Sequence, residues 1–240
     1  MRSFAVDESG SPLGFAYREF TQYFPQPGWV EHDAEEIWQA VLGTLAELTA
    51  SLDQPIAAIG ITDQRETVVL WDKRTGVPRH KAIVWQDRRT AARCEQLESD
   101  GHLDLVRSTT GLVLDPYFSG SKFEWLLTEG GVENDEHLAF GTIDSWLVWK
   151  LTGGVHITDT TNASRTLLFD IQNMRWSDEM CALFNVPMSA LPEVRPSSGR
   201  FGVTTADLPI PSGVPVSGIA GDQQAALFGQ ACFAPGQAKN

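Results

Sequence analysis

The chain has 240 residues, 42% of them hydrophobic and 20% charged, with a formal net charge of −13. That length buries a sizeable core in one large domain or two small ones. The acidic balance and the lack of a basic run argue against nucleic acid or an anionic membrane as the main partner. They do not bar a phosphorylated ligand, because binding depends on local donors. No apolar run approaches the roughly 20 residues of a membrane span, and Met1-Arg2-Ser3-Phe4 lacks a secretory signal pattern. Cys94, Cys181 and Cys232 are widely spaced and form no CxxC pair. They fit free thiols in a reduced, cytoplasmic setting.

In chain order, residues 2–7 alternate apolar and polar, turn at Glu8-Ser9-Gly10-Ser11, and return as a second extended run over 13–20, which reads as a hairpin. The loop Tyr23-Phe24-Pro25-Gln26-Pro27-Gly28-Trp29 is aromatic and rigid. Asp33 is a good N-cap, with Glu35 and Glu36 in the first turn of a helix running to about Leu52. Ile37, Val41, Leu45 and Leu48 form its apolar stripe. Residues 56–62 are nearly continuous in apolar character, as in a strand buried on both faces. Strands over 67–71 and 82–85 follow, then a polar helix over about 88–98. Helices are expected at 119–129 and 142–152, the second capped by Thr142 and stopped by Gly153-Gly154. Ser177 opens another short helix, and residues 187–215 read as loop and short strands. Finally, residues 214–219 form a buried strand that passes through Gly221 and Asp222 into a helix. With strands and helices alternating after residue 33 and no repeat or linker, the class is α/β with an N-terminal hairpin.

Several positions carry chemistry. The strand-to-helix junction Gly221-Asp222-Gln223-Gln224 puts a carboxylate and two carboxamides where α/β sheets bind ligands. Arg65 and Glu66 follow the 56–62 strand, and an adjacent donor and acceptor suit a ligand with neighbouring hydroxyls. A surface ion pair in a turn fits the same two residues, and on composition both readings stand. Trp85 is either core or an apolar wall for a polyol. The Tyr117 hydroxyl either reaches a ligand or caps its loop. Asn162-Ala163-Ser164-Arg165-Thr166 reads as a helical turn with structural hydrogen bonds. The five histidines show no ligand spacing, so no metal site is expected. Neither GxxxxGK[ST] nor GxGxxG occurs.

Taken together, these stretches resemble the glycerol kinases within the FGGY carbohydrate kinase family. The likeness rests on Pro27-Gly28-Trp29-Val30-Glu31-His32-Asp33, Ile61-Thr62-Asp63-Gln64-Arg65-Glu66-Thr67, Ala82-Ile83-Val84-Trp85-Gln86 and residues 111–120. Residues 161–166 and 218–230 complete it, so that it spans nearly the whole chain. It implies a ribonuclease H-like (actin-like ATPase) α/β domain with a mixed sheet flanked by helices. It also implies that residues 1–240 form a single glycerol-binding domain. Carried over by position, Arg65, Glu66, Tyr117, Asp222 and Gln223 match the family's glycerol contacts, and Trp85 matches the wall behind the glycerol carbons. Asp222 also matches the residue that takes the proton from the attacking hydroxyl. The implied reaction is ATP-dependent phosphorylation of glycerol, with Mg²⁺ as the metal.

The family chain is about twice this long. Its first strand and phosphate loop should precede Arg2, which matches the end of that loop as a cofactor contact, and its second, nucleotide-binding domain should follow Asn240. The sequence-based expectation is therefore a poorly stable chain with open strand edges and no kinase activity alone. The short stretch 201–212 also lacks the insert that binds fructose 1,6-bisphosphate in some relatives. A kinase for another polyol or sugar and a non-catalytic polyol-binding domain are the rival functions. A complementary C-terminal half or a second copy of the chain is the expected macromolecular partner.

Overall fold

The computed structural model describes residues 1–239. Strands β1 (Arg2–Val6) and β2 (Pro12–Tyr17) form the expected hairpin. Its turn is held by Asp7, whose Oδ1 accepts from the N–H groups of Ser9 and Ser11. Strands β3 (Gln22–Tyr23) and β4 (Glu31–His32) flank the aromatic loop. Asp33 caps α1 (Ala34–Ala50), its carboxylate accepting from Glu35 and Glu36 N–H. Ile37, Val41 and Leu48 of the expected stripe are buried, joined by Trp38.

Next come β5 (Ile59–Asp63), β6 (Val68–Asp72) and β7 (Ala82–Ile83). Strand β5 departs from expectation. It begins at Ile59, and Gly60 and Thr62 are exposed, so it is not buried on both faces. Helix α2 (Ala91–Ser99) starts later than residue 88, because Asp87 accepts from Arg89 N–H and Nε and holds a turn there. Helix α3 (Leu103–Thr110) was not expected. It stops at Gly111, whose φ of 71° is the left-handed conformation that glycine adopts without a Cβ clash. Helix α4 (Ser119–Thr128), β8 (Leu138–Thr142) and α5 (Ile143–Thr152) follow, α5 ending at Gly153 as expected.

The remaining elements are short. They are β9 (Ile157–Asp159), α6 (Thr160–Ala163), β10 (Phe169–Asp170), β11 (Arg175–Trp176) and α7 (Asp178–Leu183). Ser177 opens α7 by accepting from Met180 N–H. Strands β12 (Glu193–Arg195) and β13 (Ser198–Val203) precede β14 (Pro215–Gly221), which runs directly into α8 (Asp222–Gly229).

The largest sheet has the order β3-β4-β7-β6-β8, antiparallel throughout. Strand β6 is buried on both faces, so its alternate side chains enter two different cores. Val68 and Leu70 pack with Leu97, Val106, Phe123 and Phe184 from α2, α3, α4 and the end of α7. Val69 and Trp71 pack with Ile37, Trp38, Trp146 and Leu151 from α1 and α5. A second sheet, β13-β14-β5, sets β14 antiparallel to β13 and parallel to β5. Its register pairs Ala220 with Thr62 and Gly221 with Asp63. The C-terminal ends of β5 and β14 therefore arrive side by side, and the site is built there.

The hairpin packs its small residues inward and its large ones outward. Ser3 bonds the buried Thr44 of α1 and Gly14 lies beside Leu48, whereas Phe4, Val6, Leu13, Phe15 and Tyr17 are exposed. Among the described residues β5 also pairs only with β14, leaving one edge open. Apolar faces and open edges promote association between chains. The chain is expected to gain mass with concentration in sedimentation velocity, and Phe15→Glu is expected to reduce that gain. A monomer across the whole concentration series would contradict both.

Candidate functional site

The loop after β5 turns sharply at Glu66, whose φ of 62° lies in the left-handed region that side chains rarely adopt. Such backbone costs on the order of 1–3 kcal/mol and persists where surrounding contacts enforce it. Here the Ser119 hydroxyl, at the start of α4, donates to the Glu66 carbonyl, and the Arg165 Nε donates to Glu66 Oε1 at 2.8 Å. The turn sends Arg65 and Glu66 into one cluster. Arg65 Nε lies 3.0 Å from Asp222 Oδ1 and 3.9 Å from Glu66 Oε1, and its Nη1 donates to Gln224 Oε1 at 3.3 Å. One guanidinium thus ties the β5 loop to the first turn of α8.

The two carboxylates have different surroundings. The Glu66 side chain is 2% exposed and that of Asp222 is 50% exposed. Burial pushes the Glu66 carboxyl above the usual range, opposed by Arg165 and then Arg65. Burial and the nearby Glu66 likewise push the Tyr117 hydroxyl up.

Trp85 and Tyr117 meet edge to face, with ring centroids 5.4 Å apart, and form a joint aromatic wall. The Trp85 loop is anchored by Asp87, which accepts from Val30 N–H and from Arg89. Arg89 is itself held between the rings of Trp29 and Trp125, at 3.8 and 4.6 Å. The Tyr117 loop is held from beneath by the fully buried Lys122, whose Nζ donates to the Tyr117 and Phe118 carbonyls. Burial lowers the Lys122 ammonium to about 7.

Below the junction lies a buried polar floor. Asn162 Nδ2 donates to Asp63 Oδ1 and Asp159 Oδ1 at 3.1 and 3.0 Å. Asp159 Oδ2 accepts from the Thr161 hydroxyl, and Thr161 Oγ1 in turn accepts from Gly221 N–H at 2.8 Å. The chain of bonds runs from β5 to the residue before Asp222. Burial raises the Asp144 carboxyl to about 6, and burial together with Asp144 pushes the Asp63 carboxyl well above the usual carboxylate range.

Arg65, Glu66, Trp85, Tyr117 and Asp222 therefore gather within one region. The Gln223 side-chain carbonyl accepts from Lys239, and Gln224 is the carboxamide that meets Arg65. Arg2 lies on the exposed hairpin, over the rings of Phe15 and Tyr17. Arg165 was not singled out in the sequence. The stretch 162–166 does supply structural hydrogen bonds, as expected, but nothing in its spacing marks Arg165 as a partner of Glu66.

Residues 1–229 match the N-terminal domain of the FGGY family of carbohydrate kinases. This chain belongs to that family. A glycerol kinase of Carboxydothermus hydrogenoformans is 54% identical over all of this chain, which covers 49% of the relative. The chain spans about half the length of the curated relatives it matches. A crystal structure of Plasmodium falciparum glycerol kinase with ADP superposes with a TM-score of 0.91 at 35% identity, covering 97% of this chain and 48% of that one. The actin-like α/β fold is common to the wider group. A xylulose kinase from Rhodospirillum rubrum, 24% identical, matches with a TM-score of 0.89 over 98% of this chain and 49% of its own.

Within this FGGY chain, the cluster depends on the lack of a side chain at residue 221. A Cβ on Gly221 would collide with Cγ and Cδ of Arg65. Arg65 is flexible, so Gly221→Ala is expected to leave the fold intact and push the guanidinium away from Asp222 and Gln224. The measurement is a pair: a melting temperature near the native value, and a crystal structure in which Arg65 no longer reaches Asp222 Oδ1 or Gln224 Oε1.

Proposed function

We propose that this chain is the glycerol-binding half of a cytoplasmic, ATP-dependent glycerol kinase, which makes sn-glycerol 3-phosphate. The observation that carries the reading is the meeting of Arg65, Glu66 and Asp222 opposite the Trp85–Tyr117 wall. A triol offers alternating donors and acceptors on one side and C–H groups on the other. Arg65 donates to one hydroxyl, Glu66 accepts from its neighbour, and the aromatic wall shields the carbons. The remaining hydroxyl faces Asp222, which orients it and accepts its proton as transfer proceeds. Phosphoryl transfer asks little covalent work of a protein, so positioning supplies most of the rate. Gln223 joins the polyol contacts once its side chain leaves Lys239.

ATP and its Mg²⁺ are the partners this family reading implies. Among the described residues no three His, Cys, Asp or Glu side chains form a set that fits a metal ion. No step on this chain is therefore routed through the metal. In this reading the nucleotide side of the reaction belongs to segments outside this chain, and Arg2 is the end of the phosphate loop. Among the described residues no helix is long and apolar enough to cross a membrane.

Calorimetry with glycerol, xylulose and gluconate tests the substrate assignment. Glycerol is expected to bind most tightly, and a preference for either sugar derivative would replace glycerol kinase with another FGGY activity. A coupled assay with ATP and Mg²⁺ tests the division of labour. The 240-residue chain alone is expected to form no glycerol 3-phosphate, and supplying the segments of a complete relative that lie outside it, the first strand with its phosphate loop and the C-terminal half, is expected to start the reaction. In that mixture, Asp222→Asn is expected to lower kcat by roughly 10²- to 10⁴-fold with a small change in KM. Turnover by the chain alone, or an unchanged kcat in the Asp222→Asn mixture, would refute the respective assignment.

A further inference from the structure

We propose that Arg165 is a positioning residue of the polyol site, fixing the Glu66 carboxylate and the Tyr117–Phe118 loop against each other so that acceptor and wall meet one ligand together. The inference rests on the polyol-binding reading above. Arg165 follows α6, and its Nε donates to Glu66 Oε1 at 2.8 Å. Its guanidinium carbon lies 4.8 Å from the Phe118 ring centroid and 5.9 Å from that of Tyr117. One planar cation thus reaches both the carboxylate and the aromatic loop, a task suited to a guanidinium, which stacks and donates at once.

Among the described residues, Arg165 supplies the hydrogen bond that the Glu66 side chain accepts. Arg65 is no substitute. It stands 3.9 Å from Glu66 Oε1, beyond hydrogen-bond reach, and is drawn to Asp222 at 3.0 Å. Arg165 occupies only part of one carboxylate oxygen, so Oε2 keeps its lone pairs for a ligand hydroxyl. The loop it presses upon is gripped from the opposite side by Lys122, through the Tyr117 and Phe118 carbonyls. Two cations from α4 and from the segment after α6 therefore clamp the wall, and one of them also holds the acceptor.

The charged and titratable groups around Glu66 are Arg65 from its own loop, Arg165 after α6, Lys122 from α4, Tyr117 before α4, and Asp222 from α8. Burial favours the neutral carboxyl, and the Arg165 hydrogen bond is the largest opposing influence. Removing Arg165 pushes the Glu66 carboxyl higher still. At high pH the native carboxylate is ionised and paired, so the loss is greatest there. As pH falls through the native Glu66 titration, both forms become neutral and the loss shrinks.

The experiment compares the native chain with Arg165→Met, Arg165→Lys and Glu66→Gln. Thermal melts are taken across pH, and glycerol affinity is measured by calorimetry. Arg165→Met is expected to bind glycerol about tenfold more weakly at neutral pH, with Arg165→Lys recovering part of the loss. The melting-temperature gap between native and Arg165→Met is expected to narrow as pH falls, and to stay constant with pH in the Glu66→Gln background. A gap independent of pH with Glu66 present, or native affinity in Arg165→Met, overturns the proposal. Should Arg165→Met fail to fold, the same two measurements on Arg165→Lys decide, with intermediate values expected. If the native chain binds no glycerol, the proposed function fails, while the melts still decide whether Arg165 controls Glu66.

Discussion

Parallel pairing between β5 and β14 joins two segments that are far apart in sequence; Arg65 and Gln224, which bond across the junction, are separated by 159 positions. Closing so long a connection costs conformational entropy that grows slowly with length, so the pairing needs specific contacts to hold one register. A slip of one residue would turn every side chain to the opposite face. The floor of Asp63, Asn162, Asp159 and Thr161 supplies those contacts, because it bonds the end of β5 to Gly221 N–H through β9 and α6. The Asn162–Asp63 and Gly221–Thr161 bonds are the links in that chain that tie the distant strands together. The polar floor, rather than the apolar core alone, sets where Asp222 stands relative to Arg65.

Burying carboxylates to gain that register is costly, and the costs fall unevenly. Asp63 and Asp144 are pushed toward neutrality by burial, and the short bonds Asp144 accepts from Thr142 and Thr158 offset part of the penalty. Glu66 meets a similar penalty but is flanked by two guanidiniums. In a chain with a net charge of −13, cations are scarce, and the site concentrates Arg65, Arg165 and Lys122 around one strained turn. Positive charge at this depth has a local reason: it keeps a buried acceptor ionised and a rigid loop in place.

Much of this architecture was legible in the sequence, because it rests on local signals. Asp33, Ser177 and Gly153 mark helix ends by capping chemistry that depends on a few neighbouring residues. The β14 strand and its passage into α8 followed from an apolar run ending in Gly221-Asp222. What escaped was set by contacts between distant segments. Gly60 and Thr62 are exposed while Ile61 and Asp63 are buried, so one face of β5 is left uncovered, which no apolar run reveals. Helix α3 has a weakly apolar sequence and draws its stability from Val106 packing into the core. Arg165 and the left-handed Glu66 follow from a loop being threaded between α4 and α6. Gln223 and Gln224 are chemically alike, so their spacing could not say which one faces Arg65.

The burial of the cluster is graded, and the grade gives the site a direction. Side-chain exposure rises from 2% at Glu66 to 11% at Arg65 and 50% at Asp222, while α8 buries none of its residues. In the proposed reading, a polyol meets its tightest polar contact at the closed end and its last carboxylate at the open end. In-line phosphoryl transfer requires the donor to approach from outside along the line of the attacking oxygen. A hydroxyl held at Asp222 satisfies that requirement, whereas one held at Glu66 is walled off by Arg65 and Arg165 and the Tyr117 loop. In the proposed reading, the same gradient separates the two carboxylates by task. The buried Glu66, with Arg165, Arg65 and Lys122 opposing the cost of its burial, is the binding group. The exposed Asp222 stands where an incoming group has room, at the reacting end.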